Sequence, residues 1–366
     1  MSRDNGPIYT FQVVDDCPID SPLYRRWCQL AVEPHQHPGW LLAWWQHMAR
    51  SRDELQLVLL TGGDGEVLGI APLYSRGGAV RLLGDGEVCT DHSELVVGQV
   101  DESLVQATAR WLAEQCHAGR WSRLDFDYVD ADGPTAHAIA ALDEVAAGHC
   151  FIEPAVASCY IELPDSWDAY LKMLSKNHRK HCRRGKKRYV DNGHVDVLST
   201  STGWHPEVAF EVFVALHTER RDNVDRSLFH NQCFEAFLRQ AFLALVAIER
   251  AEIRALRLDG QYLAAEFLLL GPTTAYAYQS GLSHAGVEIY AGSLSQVVMI
   301  EDLICRGFHR LDLMRGTEEY KYHWACQERP AVRCQWRPAT VPGLLAHSTA
   351  ALWSYSKGLL RSWTAT

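Results

Sequence analysis

Long apolar runs are missing from this sequence. The longest strongly apolar stretch, 262–271, is interrupted by Glu266 and falls far short of the ~20 residues a helix needs to cross a bilayer. The first residues, Met-Ser-Arg-Asp-Asn-Gly-Pro, hold no apolar signal core, so the expected location is the cytoplasm, without a membrane span. No C-x-x-C pair occurs among the eleven cysteines, which are scattered from Cys17 to Cys334. An odd, dispersed set in a chain this long reads as reduced thiols, many of them core residues. A Walker A loop, a G-x-S-x-G elbow and a Rossmann fingerprint are all absent, which removes the usual motif-bearing NTPases, serine hydrolases and dinucleotide enzymes. Net positive charge is absent too. At -10 the chain is not expected to coat nucleic acid.

What is present describes a packed protein. Of 366 residues, 47% are hydrophobic and 22% charged, which fits a globular chain of two domains. One local asymmetry stands out. Residues 176–188 hold eight Lys/Arg and no Asp/Glu, which is either a local anion site or a solvated helix face. The tail around Trp353 and Trp363 is basic and amphipathic, which suits a docking helix or weak membrane contact.

Strand-like and helix-like segments alternate. Strands are predicted at 8–14, 55–61 and 67–74, the last two joined by Gly62-Gly63-Asp64-Gly65 as a hairpin. Helices are predicted at 40–50, 102–119 and 134–148, with strands at 79–83, 123–128 and 159–163. The second half repeats this order: one helix starting near Ser166 and running through the basic cluster, a strand at 194–198, helices at 206–222 and 232–249, strands at 253–258, 260–270 and 273–280, a helix at 294–307 and a strand at 311–314. Mixed sheets with helices on their faces follow, an α/β (α+β) fold of two similar domains in tandem, 1–160 and 161–340, with a helical tail at 341–366.

Several residues carry possible chemistry. Gly292, Ser293 and Leu294 open a helix after the strand that holds Tyr278 and the glycine Gly281. A helix N-terminus suits a phosphate, and it is equally an ordinary cap. Glu266 lies inside an apolar strand, so it is either a base with a raised pKa or one half of a structural ion pair. Asp312 and Lys321 flank the Gly316 turn at a strand end. His178, His181 and Cys182 share a helix face, but no fourth ligand is evident and the flanks are cationic, so no metal is expected.

The run Gly316-Thr317-Glu318-Glu319-Tyr320-Lys321-Tyr322 resembles the G-x-E-x-Y-K signature of a GNAT-type acyltransferase family. That family includes CelD/BcsL-like (cellulose-biosynthesis-type) acetyltransferases and is similar in build to the FemAB aminoacyl transferases. Two further segments carry the resemblance: Lys176-Asn177-His178-Arg179-Lys180-His181-Cys182-Arg183-Arg184, and the stretch 84–97 with Asp91 and His92. Tyr290-Ala291-Gly292-Ser293 keeps the glycine of the family's Ser-Pro-Gly loop and lacks its proline.

The resemblance implies tandem GNAT-like domains of FemAB-type architecture and acyl transfer from acetyl-CoA or another acyl-CoA. The implied acceptor is the amine or hydroxyl of a small or sugar-linked molecule. It implies Lys321 at the active site as oxyanion stabiliser, Glu266 or Asp91 as base, and Tyr320 or Tyr322 as proton donor. Donor contacts fall to Tyr278, Gly281, Gly292, Ser293 and Leu294. Acceptor contacts fall to Arg183, Arg184, His217, Arg221 and Asp312, with Arg220 and Phe229 shaping the cleft. The alternatives are an aminoacyl-tRNA-dependent transferase, the one case in which a nucleic acid (tRNA) is the partner, and a binding protein that keeps the fold without the chemistry.

Overall fold

The computed structural model describes residues 9–86, 90–98, 101–221 and 228–339, the side chain of Arg221 apart. Two mixed sheets organise them. The first runs β1 (Thr10–Val14), β2 (Glu54–Thr61), β3 (Val67–Arg76), β4 (Ala79–Leu82), β6 (Arg123–Asp130), β15 (Ala331–Pro338), β7 (Gly148–Pro154), with β5 (Val97–Gly98) also on β3. The second runs β9 (Val195–Ser199), β10 (Ala251–Leu258), β11 (Gln261–Leu270), β12 (Thr274–Leu282), β13 (Arg310–Arg315), β8 (Ser158–Glu162), β14 (Gln327–Arg329). Position for position these are the same arrangement. In each sheet the one parallel pair among the described strands joins the fourth and fifth positions, β4 with β6 and β12 with β13. The fold is thus mixed α/β and internally repeated.

The sheets do not part the chain at a single point. β15 lies in the range expected to form the second domain, 161–340, yet it pairs with β6 and β7 of the first sheet. Trp336 on β15 is fully buried in the first core. A Cβ on Gly148 of the neighbouring β7 would sit 2.3 Å from its ring, so only glycine fits there.

Helices α1 (Pro22–Leu30) and α2 (Pro38–Met48) follow β1, and α8 (Pro206–Arg221) and α9 (Gln232–Val246) follow β9. These four pack between the sheets around Trp27, Trp40, Phe210, Phe213, Phe237 and Phe242. Trp40 meets Phe237 edge to face, with ring centroids 5.1 Å apart. Buried aromatics of this size dominate core energetics, and the shared core fixes one half against the other. On the outer face of the first sheet lie α3 (Glu102–His117), α4 (Pro134–Ala140) and α5 (Leu142–Val145).

The single helix expected from Ser166 is two, α6 (Trp167–Met173) and α7 (Lys176–Gly185). Leu174 is extended, Ser175 accepts a bond from the His178 amide and so caps α7, and Arg179 donates to the Leu174 carbonyl at 3.0 Å. The cap outcompetes continuation of the helix. A π-helical segment, Lys186–Asp191, continues α7. Then α10 (His284–Glu288) and α11 (Ala291–Cys305) precede β13, and α12 (Glu319–Tyr322) follows it. The tail expected at 341–366 lies outside the described residues. Among the described residues no helix is long and apolar enough to cross a membrane.

Candidate active site

β12 and β13 stay paired only from Thr274↔Arg310 to Tyr276↔Asp312. Beyond that they splay, and the wedge holds a pocket of about 410 Å³. Its walls are Ala277, Tyr278, Gln279 and Ser280 from β12, and Leu313, Met314 and Arg315 from β13. Glu266, Gln296, Arg220, Asp91, Glu318, Tyr320 and Lys321 complete it. Six residues singled out in the sequence, Asp91, Arg220, Glu266, Tyr278, Tyr320 and Lys321, therefore meet in one hollow although most are far apart in the chain.

Glu266 is 3% exposed and sits mid-strand between Arg254 of β10 and Ser280 of β12. Burial pushes its carboxyl up to about 7, against the opposing pull of Arg220 and of hydrogen bonds from Ser295 and Gln296. Gln296 Nε2 donates to Glu266 Oε1 at 3.3 Å. A carboxyl that titrates near neutrality and opens onto a pocket is suited to take a proton there.

Lys321 is buried, and its ammonium donates to the carbonyls of Met314, Arg315 and Gly316 at 3.2, 2.9 and 3.0 Å. Glu318 Oε2 lies 3.0 Å away. The three N–H donors thus hold the turn after β13, and the residue presents charge to the pocket instead of a spare hydrogen.

Asp91 comes from the loop after β4 and crosses to the second sheet. Its Oδ2 accepts from the Arg315 amide at 2.9 Å and its Oδ1 from Arg315 Nε at 2.8 Å, with Nη2 closing the pair. His92 beside it lies between Asp130 (2.8 Å) and Asp312 (3.1 Å). Burial works against the imidazolium, but the two carboxylates outweigh it and raise His92 to about 10. Asp312 is fully buried in this bridge and lines none of the pockets described here.

Tyr278 occupies the bulge where β12 slips against β11, and its ring meets Trp40 and Phe267 at 5.1 and 5.5 Å. Gly281 lets the backbone of α8 approach, since a Cβ there would lie 2.6 Å from the His217 amide nitrogen. His217 itself is buried against Phe213 and Phe229.

A second hollow, of about 300 Å³, adjoins the first turn of α11. Ser293, Leu294 and Tyr290 line it, opposite His181, Arg184 and Arg188. Tyr290 is the helix's N-cap in a left-handed conformation and makes no side-chain cap bond. The first amides of α11 thus have no acceptor from their N-cap side chain, and two guanidinium-bearing residues line the same hollow. Gly292 has open surroundings, because a Cβ would meet only Leu282 methyls at 3.7 and 3.8 Å. Arg183 is exposed and 3.6 Å from Asp168, outside both hollows. Arg221 closes α8, and its side chain lies outside the described residues. Tyr322 is exposed and bonded to Glu328, which raises its phenol to about 12. Among the described residues no group of three or more His, Cys, Asp or Glu is arranged to hold a metal ion.

Residues 176–322 match a family described as an acetyltransferase (GNAT) domain. The chain has a GNAT acyltransferase fold. A crystal structure of FemX superposes with a TM-score of 0.61 at 13% identity, over 85% of this chain and 95% of that one. L-PGS from Bacillus licheniformis superposes with a TM-score of 0.55 at 11% identity, over 90% and 96%. Identities this low establish the shared fold alone. No curated protein matches the sequence. Within the GNAT domain, sequence reasoning passed over Ser280, Gln296 and Arg315. Ser280 and Gln296 were accessible in principle from strand alternation and helical phase around Glu266. Arg315 was not, because its partner Asp91 is 224 residues away.

Proposed function

We propose that the protein is an acyltransferase that moves an acyl group from an activated donor to an amine in the β12–β13 wedge, with acetyl-CoA or another acyl-CoA as donor. The observation that carries this is Glu266: a buried carboxyl raised to about 7, opening into a pocket made by strand splay. In this proposal Glu266 takes the proton from the amine as its nitrogen bonds to the acyl carbon. The charge of Lys321 favours the oxyanion, the carbon–sulfur bond breaks, and Tyr320 returns a proton to the thiolate. The bonds from Arg315 to both oxygens of Asp91 support Glu266 over Asp91 as base. The donor's phosphates would meet the α11 N-terminus and Arg184. Membership of the CelD/BcsL-like family is part of the same proposal.

One observation favours a second donor, aminoacyl-tRNA. Lys176, Lys180, Arg183, Arg184, Lys187 and Arg188 are exposed on one basic run beside the second hollow, the electrostatic footprint a polyanion needs. Titration calorimetry with acetyl-CoA and a gel shift with aminoacyl-tRNA, each at low and high salt, separate the two. Saturable acetyl-CoA binding supports the first donor. A salt-sensitive tRNA shift without thioester binding supports the second. Failure of both up to millimolar donor leaves the fold without its chemistry and sinks the proposal.

A further inference from the structure

Acyl transfer in the wedge leaves the acceptor unnamed, and the pocket's cations bear on it. Three of them line the hollow: Arg220, Arg315 and Lys321. Two are committed. Arg315 gives Nε and Nη2 to Asp91 and lies over the Tyr128 ring, 3.2 Å from its centroid. Lys321 spends its hydrogens on three carbonyls.

Arg220 is different. It stands at the end of α8, solvent-exposed, and its Nη1 donates to Ser280 Oγ, its one hydrogen-bond partner among the described residues. Among the described residues, the other four N–H donors of its planar fork have no hydrogen-bond partner. Ser280 is the direct cross-strand partner of Glu266, so this fork is tethered beside the proposed base. An amine presented to Glu266 would bring its substituent to the guanidinium.

We infer that Arg220 selects an acceptor that carries an anionic group, a carboxylate or a phosphate, next to its nucleophilic amine. The inference rests on the acyl-transfer reading of the wedge and adds the chemical class of the acceptor. A guanidinium fork matches both anions in geometry. Ser280 limits the rotamers of Arg220, so less freedom is lost when the anion binds. Propylamine, β-alanine and 2-aminoethyl phosphate form a set that differs mainly in the anion.

The full chain, with whichever donor supports transfer, is assayed on these three amines. One or both anionic amines should exceed propylamine in kcat/KM by roughly ten- to a hundredfold, mainly through KM. Which of them wins identifies carboxylate or phosphate. Arg220→Gln should collapse that advantage and Arg220→Lys should restore part of it. Arg220→Gln should also move the acid limb of the rate profile upward, because Arg220 pulls the Glu266 carboxyl down; loss of packing alone would not do this. Equal use of propylamine, or an advantage that survives Arg220→Gln, overturns the inference.

If no amine is acylated, the transfer reading falls, and Arg220 is tested by its side-chain Nε–H NMR signal, assigned by its loss in Arg220→Gln. Displacement of that signal by acetate or inorganic phosphate supports an anion site without transfer. A signal that neither anion moves overturns it.

Discussion

The two sheets share one seven-strand order and differ sharply where their parallel pair ends. In the first, the last parallel pair is Val80↔Leu124, and the next residues on each strand are Arg81 and Asp125. They bond across the gap at 2.6 Å. Asp125 also accepts from Arg333 and Gln335, and Arg81 reaches Asp85, which accepts from the Tyr74 hydroxyl at 2.6 Å. In the second sheet the last pair is Tyr276↔Asp312 and the next residues are Ala277 and Leu313. Among the described residues no ion pair joins those two positions, and a pocket remains. The same backbone divergence is a plugged seam in one half and a candidate active site in the other. Strand order makes room for a site, and the two residues after the last ladder pair decide whether the room stays vacant.

The largest expected effect comes from copying the plug. Ala277→Arg with Leu313→Asp should close the second wedge and lower acyl transfer by more than about a thousandfold. The double variant is checked for retained fold by circular dichroism and for loss of donor binding by calorimetry. Transfer at wild-type rates would separate the wedge from the chemistry.

Opening the first wedge acts on stability. Asp125→Ala leaves the half-buried Arg81 with Asp85 alone and frees the more exposed Arg333, which should cost about 1–3 kcal/mol, read as a fall in the denaturation midpoint. Below that midpoint the donor affinity of the second wedge should persist. A stability unchanged by Asp125→Ala would mean the plug is not what holds the seam.

Glu266→Gln should reduce turnover by about a hundredfold or more, and the wild-type rate should rise through a limb near pH 7 as the carboxylate forms. Its effect on stability has the opposite sign. The folded carboxyl titrates near 7 and the unfolded one near its model value of 4.5. The folded state therefore binds more protons between those values, and wild-type stability falls as pH rises across that window. Glu266→Gln removes this loss and should be the more stable protein at pH 8, by about 3 kcal/mol at most, with the gain fading toward pH 4.5. A variant that loses both activity and stability at pH 8 would make Glu266 a structural group.

Local pattern carried much of this into view. The hairpin at 62–65, the helix at 102–119 and the three strands after residue 250 follow from alternation, glycine and capping, and each is present within a few residues of its expected bounds. Glu266 was legible because a carboxylate inside an apolar strand is costly unless it does something. Other features depend on distant partners. The destination of β15 is set by packing of Trp336 beside Gly148, which no window along the chain contains. Asp312 reads as a strand-end acid facing a cleft, and only its meeting with His92 shows it to be a buried bridge. The surroundings of Gly292, which leave room for a side chain, likewise depend on where Leu282 packs.

The placement of β15 also sets an order of events during synthesis. The first sheet lacks its sixth strand until residues 331–338 leave the ribosome, by which time every element of the second sheet has already emerged. The earlier half must wait, with its β6 and β7 edges unpaired, for the later one to arrive. Cutting the gene between the two halves would therefore yield a first piece with an open seam where Trp336 belongs.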